Sequence, residues 1–316
     1  NRESTNYGNE GGWYDGDKIR FRSGNPEKIG GWSRLSNSVY LGTARSLWNW
    51  IDFDGSNYLG VGTNLKYYIE QGGNYNDITP IRATFTSPAT NNCFTTTTGS
   101  NVVTVTITAH GATQDDFVTF SGAVAVDAVP AGDLNKEHQI TYIDSNNFSI
   151  LVATTATSPV TGGGAGITAV FQILTGLDVY VIGVGWGAGP YSRLGWGSGY
   201  TIGVGQQLRL WSNDNYGQDL IIAPRGGAIY YWVDSTGVSV RAQLLATLST
   251  AALGNTPAGI GYGVFVPTAT YQVLASALQR FVIAFGANSY SSAQNTVPTT
   301  FDPMLVRWSD QANPYQ

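Results

Sequence analysis

Leu59 to Ile69 (LGVGTNLKYYI), Leu220 to Trp232 (LIIAPRGGAIYYW) and Val282 to Trp308 (VIAFG, a longer loop, then MLVRW) repeat one pattern. Each is an apolar strand, a turn, and a second strand heavy in Tyr or Trp. A two-stranded unit of this kind cannot bury its apolar face alone, so copies must stack or close into a ring. Around the first copy, Ser46–Ile51 reads as a preceding strand with a turn at Asp54-Gly55, and Tyr75–Ile78 as an outer strand after Gly72-Gly73. The resulting four-stranded module is about 40 residues long, the length of a propeller blade and too short for an immunoglobulin-like sandwich.

The second copy is expected to use strands at Leu208–Trp211, Leu220–Ala223, Ile229–Val233 and Val238–Leu245. The third uses Tyr271–Leu274, Phe281–Phe285 and Met304–Trp308. Ahead of the first copy, Asp15-Gly16 is a strong turn signal followed by alternating Ile19 and Phe21, with Arg20 and Arg22 on the other face, which predicts a hairpin. A second turn is expected at Gly24-Asn25-Pro26.

Composition changes near Thr84. From there to Ile173, Thr, Ser, Ala and Val dominate, Trp is absent, and both His and the single Cys fall inside. Strands are expected at Val102–Thr108, Phe117–Ser121, His138–Ile143 and Phe148–Val152, with turns at Ala109-His110-Gly111 and Asp144–Asn147. This is read as a small β-barrel or sandwich inserted into the propeller, giving three segments: 1–83, 84–173 and 174–316. Between Leu177 and Gly205, glycine recurs every second or third residue among Trp186, Tyr191, Trp196 and Tyr200, the pattern of an ordered loop pinned by its rings.

The 316 residues carry 40 Gly, 18 Tyr and nine Trp beside only 12% charged residues, which favours an all-β fold with many tight turns. A formal charge of −5 and the absence of a Lys/Arg cluster argue against a surface that grips phosphate backbones, while allowing DNA to pass without sticking. No apolar run reaches the ~18 residues of a membrane span, and the N-terminal residues lack signal-peptide character. The lone Cys93 cannot form an intramolecular disulfide, so folding in a reduced cytosol is expected.

Candidate chemistry is sparse. His110 and His138, with Cys93 upstream, lack the further ligands or orienting carboxylate that a zinc site or a Cys/His nucleophile needs, and His110-Gly111 reads as a turn. Gly183-Val184-Gly185-Trp186-Gly187 has no following helix to meet a pyrophosphate. Asp52, Asp54 and Asn57 have the alternation of a calcium loop but not its later bidentate Glu, and read as turn residues. Asp115 and Asp116 are adjacent on an extended chain and point to opposite faces, which rules out a facing acid pair. Trp48, Trp50, Tyr67, Tyr231 and Trp308 recur at equivalent positions and are expected in the core. No catalytic, cofactor-binding or metal-ligating residue is assigned.

The segment from Gly12 to Trp32 (GWYDGDKIRFRSGNPEKIGGW) resembles the opening hairpin of tail nozzle and packaged-DNA stabilisation proteins (tail tubular or hub proteins) of short-tailed bacteriophages. Tyr58–Ile69 with Asp77–Pro80 is similar to the same family. So are Arg209–Ser212 through Asn215–Ile221 to Pro224–Gly227, Tyr230–Trp232, and Asp302–Asp310. The resemblance implies a non-enzymatic β-propeller subunit of the virion tail, made in the host cytoplasm and assembled as a homohexameric ring. It also implies as partners the tail adaptor or portal assembly, tail fibres or host envelope, and double-stranded DNA in transit without sequence-specific binding. Family members continue beyond the Trp308-Ser309-Asp310 motif. The roughly 230 residues outside the insertion correspond to about five blades of ~45 residues, in a propeller that is either small or incomplete at its C-terminus. Two other readings stay open from the residues: a receptor- or glycan-binding propeller, and a polysaccharide-degrading tail enzyme.

Overall fold

A computed structural model describes residues 16–31, 33–86, 91–176, 208–248, 265–290 and 300–314, and its strands pair antiparallel throughout. The chain divides into two compact units, residues 1–37 and 38–316. In the first, β1 (Ile19–Arg22) pairs with β2 (Asn25–Lys28), Ile19 opposite Lys28 and Arg22 opposite Asn25. The hairpin therefore reverses at Ser23-Gly24, one residue earlier than expected, because both residues take the positive φ (51° and 82°) that a tight two-residue turn requires. The Asp15 half of the other expected turn lies outside the described residues.

The second unit begins with a four-stranded meander: β3 (Ala44–Ile51), β4 (Asn57–Thr63), β5 (Tyr67–Gln71) and β6 (Asn74–Asp77), paired in chain order. Its turns follow from local chemistry. Asp52 Oδ1 accepts from Ser56 N at 2.8 Å, and Thr63 Oγ1 accepts from the Leu65 and Lys66 amides at 3.1 and 2.8 Å.

The 84–173 region is flanked by β7 (Ile81–Thr86), with β8 (Phe94–Thr95), β9 (Val102–Thr106), β10 (Phe117–Ser121), the one-turn helix α1 (Ala131–Leu134), β11 (Glu137–Gln139), β12 (Thr141–Tyr142), β13 (Asn147–Leu151), β14 (Thr161–Gly162) and β15 (Thr168–Gln172). They form two sheets, β11-β10-β15-β7 and β12-β13-β9-β8-β14. These share an apolar core that includes Phe94, Phe120, Phe148, Ile150 and Phe171. First and last strands pair with each other, so the chain enters and leaves side by side, which keeps loop-closure cost small. The single expected strand His138–Ile143 is two short ones, because Ile140 turns its side chain into the core between them.

After residue 208 come β16 (Trp211–Tyr216), β17 (Asp219–Pro224), β18 (Tyr230–Trp232) and β19 (Gln243–Leu244), then β20 (Thr270–Ala275), β21 (Val282–Asn288) and β22 (Phe301–Trp308). The three repeats quoted at the outset are the hairpins β4-β5, β17-β18 and β21-β22. The first strand of the second copy lies at Trp211–Tyr216, not Leu208–Trp211. Its polar run SNDN hides a strand whose side chains are spent on hydrogen bonds to its neighbours. These three antiparallel meander sheets of an all-β fold stand where the sequence places its propeller blades, and are called blades below.

Burial explains the run LIIA in β17. Leu220 and Ile222 face one core with Trp50, Tyr58, Tyr67, Ile69, Trp211 and Trp232, while Ile221 and Ala223 face another with Tyr216, Val273, Val282 and Ala284. A middle blade buried on both sides loses period-2 alternation. Tyr67 is fully buried, and its hydroxyl, pushed up by burial, has no hydrogen-bond partner. Removing such a group recovers its desolvation cost. Tyr67→Phe is expected to raise stability by about 1 kcal/mol in denaturant unfolding, and a loss of more than that amount would show that the hydroxyl is satisfied in solution.

Candidate functional site

The feature that turns separate blades into one wall is a polar seam along their first strands. The middle strand β16 uses the two-residue period of a strand to reach both neighbours. Its odd side chains go to β3: Ser46 Oγ donates to Asn213 Oδ1 and Trp48 Nε1 to Asn215 Oδ1. Its even side chains go to β20: Ser212 Oγ donates to Val273 O at 2.9 Å and accepts from Val273 N at 3.0 Å, and Asp214 Oδ2 accepts from Ala275 N at 2.8 Å. Arg45 Nη1 adds a bond to Arg209 O at 3.1 Å. Because each bond is directional, the seam sets the relative register of three blades, which apolar packing alone does not do. Asp214→Ala is expected to cost about 2 kcal/mol, the range for a charge-assisted bond to a buried amide, with Asp214→Asn costing under half as much. Equal losses for the two variants would remove the hydrogen bond as the cause.

A second arrangement ties the first blade to the 84–173 region. Lys66, almost fully buried, donates from Nζ to Asp77 Oδ2 at 2.7 Å and to Glu137 Oε1 at 2.5 Å, and lies over the Phe117 ring at 4.6 Å. Arg241, just before β19, reaches Asp77 at 3.1 Å, and Gln172 Nε2 donates to Glu137 Oε2 at 2.6 Å. Burial opposes the Asp77 carboxylate, but Lys66 and Arg241 outweigh it and hold this group below the usual carboxylate range.

The residues singled out for chemistry are kept apart. His110 is wholly buried, its Nδ1 accepting from Ala112 N at 3.0 Å and its Nε2 facing Asp144 O at 2.9 Å, so it closes a turn. His138 packs between the carbonyls of Leu134 and Leu151, and burial lowers its basicity. Cys93 is buried, and burial pushes its thiol up to about 12, which suppresses the reactive thiolate. Asp115 and Asp116 point apart: Asp116 is fully buried, Asp115 is not. Asp52 closes its own turn, as expected of that position, and no group of three metal-ligating residues occurs among the described residues. Gly183 to Gly187 lie outside the described residues.

Trp50, Tyr67 and Tyr231 are core residues as expected, and Trp48 is partly buried. Trp308 is not: it is 70% exposed. With Met304 and Val306 it lines the outer face of β22, which no described strand covers, whereas the equivalent position of the middle blade is covered on both sides. No helix of the described residues is long and apolar enough to cross a membrane. Sequence reasoning missed Asn213, Asp214 and Asn215; the available signal was a short polar run bounded by aromatic residues, WSNDNY. The Lys66–Glu137 pair, 71 positions apart, had no local signal.

No protein-family model and no curated protein matches the chain. Among solved structures, it is similar to an endosialidase of phage phi92, at 14% identity and a TM-score of 0.25, over 75% of this chain and 33% of that one. The chain thus spans about a third of the length of that protein, and a likeness of this size carries no argument about function.

Proposed function

We propose that this chain is a structural subunit of a bacteriophage tail, a wall segment of the nozzle or hub ring. In this reading six copies enclose a channel that retains packaged double-stranded DNA and releases it on infection. The ring sits beneath the tail adaptor or portal assembly, and residues 84–173, as an inserted domain, face tail fibres or the host envelope. The chain acts by geometry and not by bond-breaking. The observation that carries this is the seam along β3, β16 and β20, which couples blades through directional bonds and stiffens them as a wall. Two of the motifs resembling the nozzle family, Arg209–Ser212 and Asn215–Ile221, overlap β16 at the centre of the seam, and the net charge of −5 lets DNA slide past without adsorbing.

The test is solution mass together with an image of the assembled particle. A ring six chains in mass, located at the distal tail, is expected; a monomer, or density elsewhere in the virion, overturns the reading. A second reading, a receptor- or glycan-binding propeller, is favoured by exposed Trp308, since a ring on a rigid sheet can stack on a sugar face. Sugar binding by a monomer that Trp308→Ala abolishes would select it. Hydrolytic turnover by the purified protein would replace both readings with an enzyme.

A further inference from the structure

A partly open cavity of about 40 Å³ lies between the second and third blades. Ile229 and Leu245 of the second line it together with Val282, Ala284 and Arg307 of the third and Val266 of the segment before β20. The five apolar residues are buried members of one packed core, so the walls are fixed and cannot collapse inward without breaking it.

Water fills this space poorly. A water needs roughly 10–15 Å³ on this measure, so about three would fit, but each needs two to four polar partners. The lining is mostly apolar, and the hydroxyl of Ser309, which also borders the cavity, is already spent: it accepts from Val282 N at 2.9 Å and donates to Asp310 O at 3.0 Å. That leaves Arg307, a cation without a counter-charge. Its Nη1 donates to Asn288 O at 3.0 Å and its Nη2 to Phe265 O, so two neutral carbonyls fix the guanidinium and take two of the five donors that such a group carries. No carboxylate acts on it among the described residues, and burial lowers its basicity.

We propose that this cavity binds a small aliphatic carboxylate, its oxygens on Arg307 and its short carbon chain against Ile229, Leu245 and Val282. Three waters take up about 90 Å³ of liquid, which is room for an acid of a few carbons and not for a long-chain one. The carboxylate supplies the charge that Arg307 lacks, through charge-assisted bonds, and its chain covers walls that water cannot satisfy. Bound there, it would bridge the second and third blades.

The test uses the intact chain, with sodium propionate as probe and propionamide, its uncharged counterpart of the same shape, as control. In crystals soaked in propionate, the carboxylate is expected within about 3 Å of an Arg307 nitrogen, with its ethyl group inside the cavity. In solution at constant ionic strength, propionate should raise the unfolding midpoint by about 2–4 °C per tenfold increase above its dissociation constant. Propionamide should bind at least about tenfold more weakly, and Arg307→Gln should erase that preference. If Arg307→Gln does not fold, the propionate map of the native chain alone decides. Ordered water alone in the cavity, propionate bound elsewhere, or equal binding of propionate and propionamide by the native chain overturns the proposal.

Discussion

Replacing Lys66 by Met is expected to cost about 3 kcal/mol of stability, the scale for breaking a buried ion pair by removing one partner. The ammonium is the shared cation of Asp77 and Glu137, at 2.7 and 2.5 Å, and both carboxylates lose it together. Arg241 still reaches Asp77 at 3.1 Å, which keeps the loss from being larger. A double-mutant cycle with Glu137→Gln should show coupling of at least about 1 kcal/mol, since neighbours in one network are not additive. Additive losses would mean that the pair contributes nothing as a pair.

The same cluster sets an acid limit. Because Asp77 titrates lower in the folded chain than the ordinary value of 3.8, its contribution is complete above about pH 5 and is lost as pH falls through the folded value. Unfolding midpoints should fall more steeply below pH 4 for the native chain than for Asp77→Asn. Identical pH profiles would show that Asp77 is not the group responsible.

The second large effect is expected from a single methyl group. A Cβ on Gly62 would lie 2.5 Å from Trp211 Cδ1 and 2.7 Å from its Cγ, and Trp211 is held in place by its Nε1 bond to Thr63 O at 2.7 Å and by edge contact with Tyr67 at 5.0 Å. The indole cannot retreat without breaking that bond and opening the core between the first two blades. Gly62→Ala should therefore cost about 3 kcal/mol, the upper range for overpacking. Gly132→Ala, where nothing lies within 4 Å, serves as the control and should be neutral or slightly stabilising. A Gly62→Ala chain as stable as the native one would place the two blades further apart than described here.

Much of the scaffold was legible because blades are local objects. Strands β3 to β6 follow one another with turns at Asp54-Gly55, Thr63-Asn64 and Gly72-Gly73, so period-2 apolar spacing and turn residues suffice to find them. β16 was misplaced for the opposite reason: Ser212 to Asn215 carry no apolar pattern, and their strand is specified by partners on β3 and β20 up to 167 positions away. Trp308 was expected in the core because repeats imply equivalent burial, but equivalence needs a neighbour on both faces, and among the described residues β22 has one only on its inner side.

By itself, the chain's order of side chains determined that the described residues fold mainly as β-strands, where the hairpins β4-β5 and β17-β18 lie, and that His110 and Asp52 serve turns, since all of these depend on interactions within a few residues. Only the tertiary structure decided that Lys66 meets Glu137 and that β16 bonds alternately to two strands. Those pairings rest on charge and hydrogen-bond complementarity between segments brought together by folding, and neither spacing nor composition along the chain encodes the distance between them.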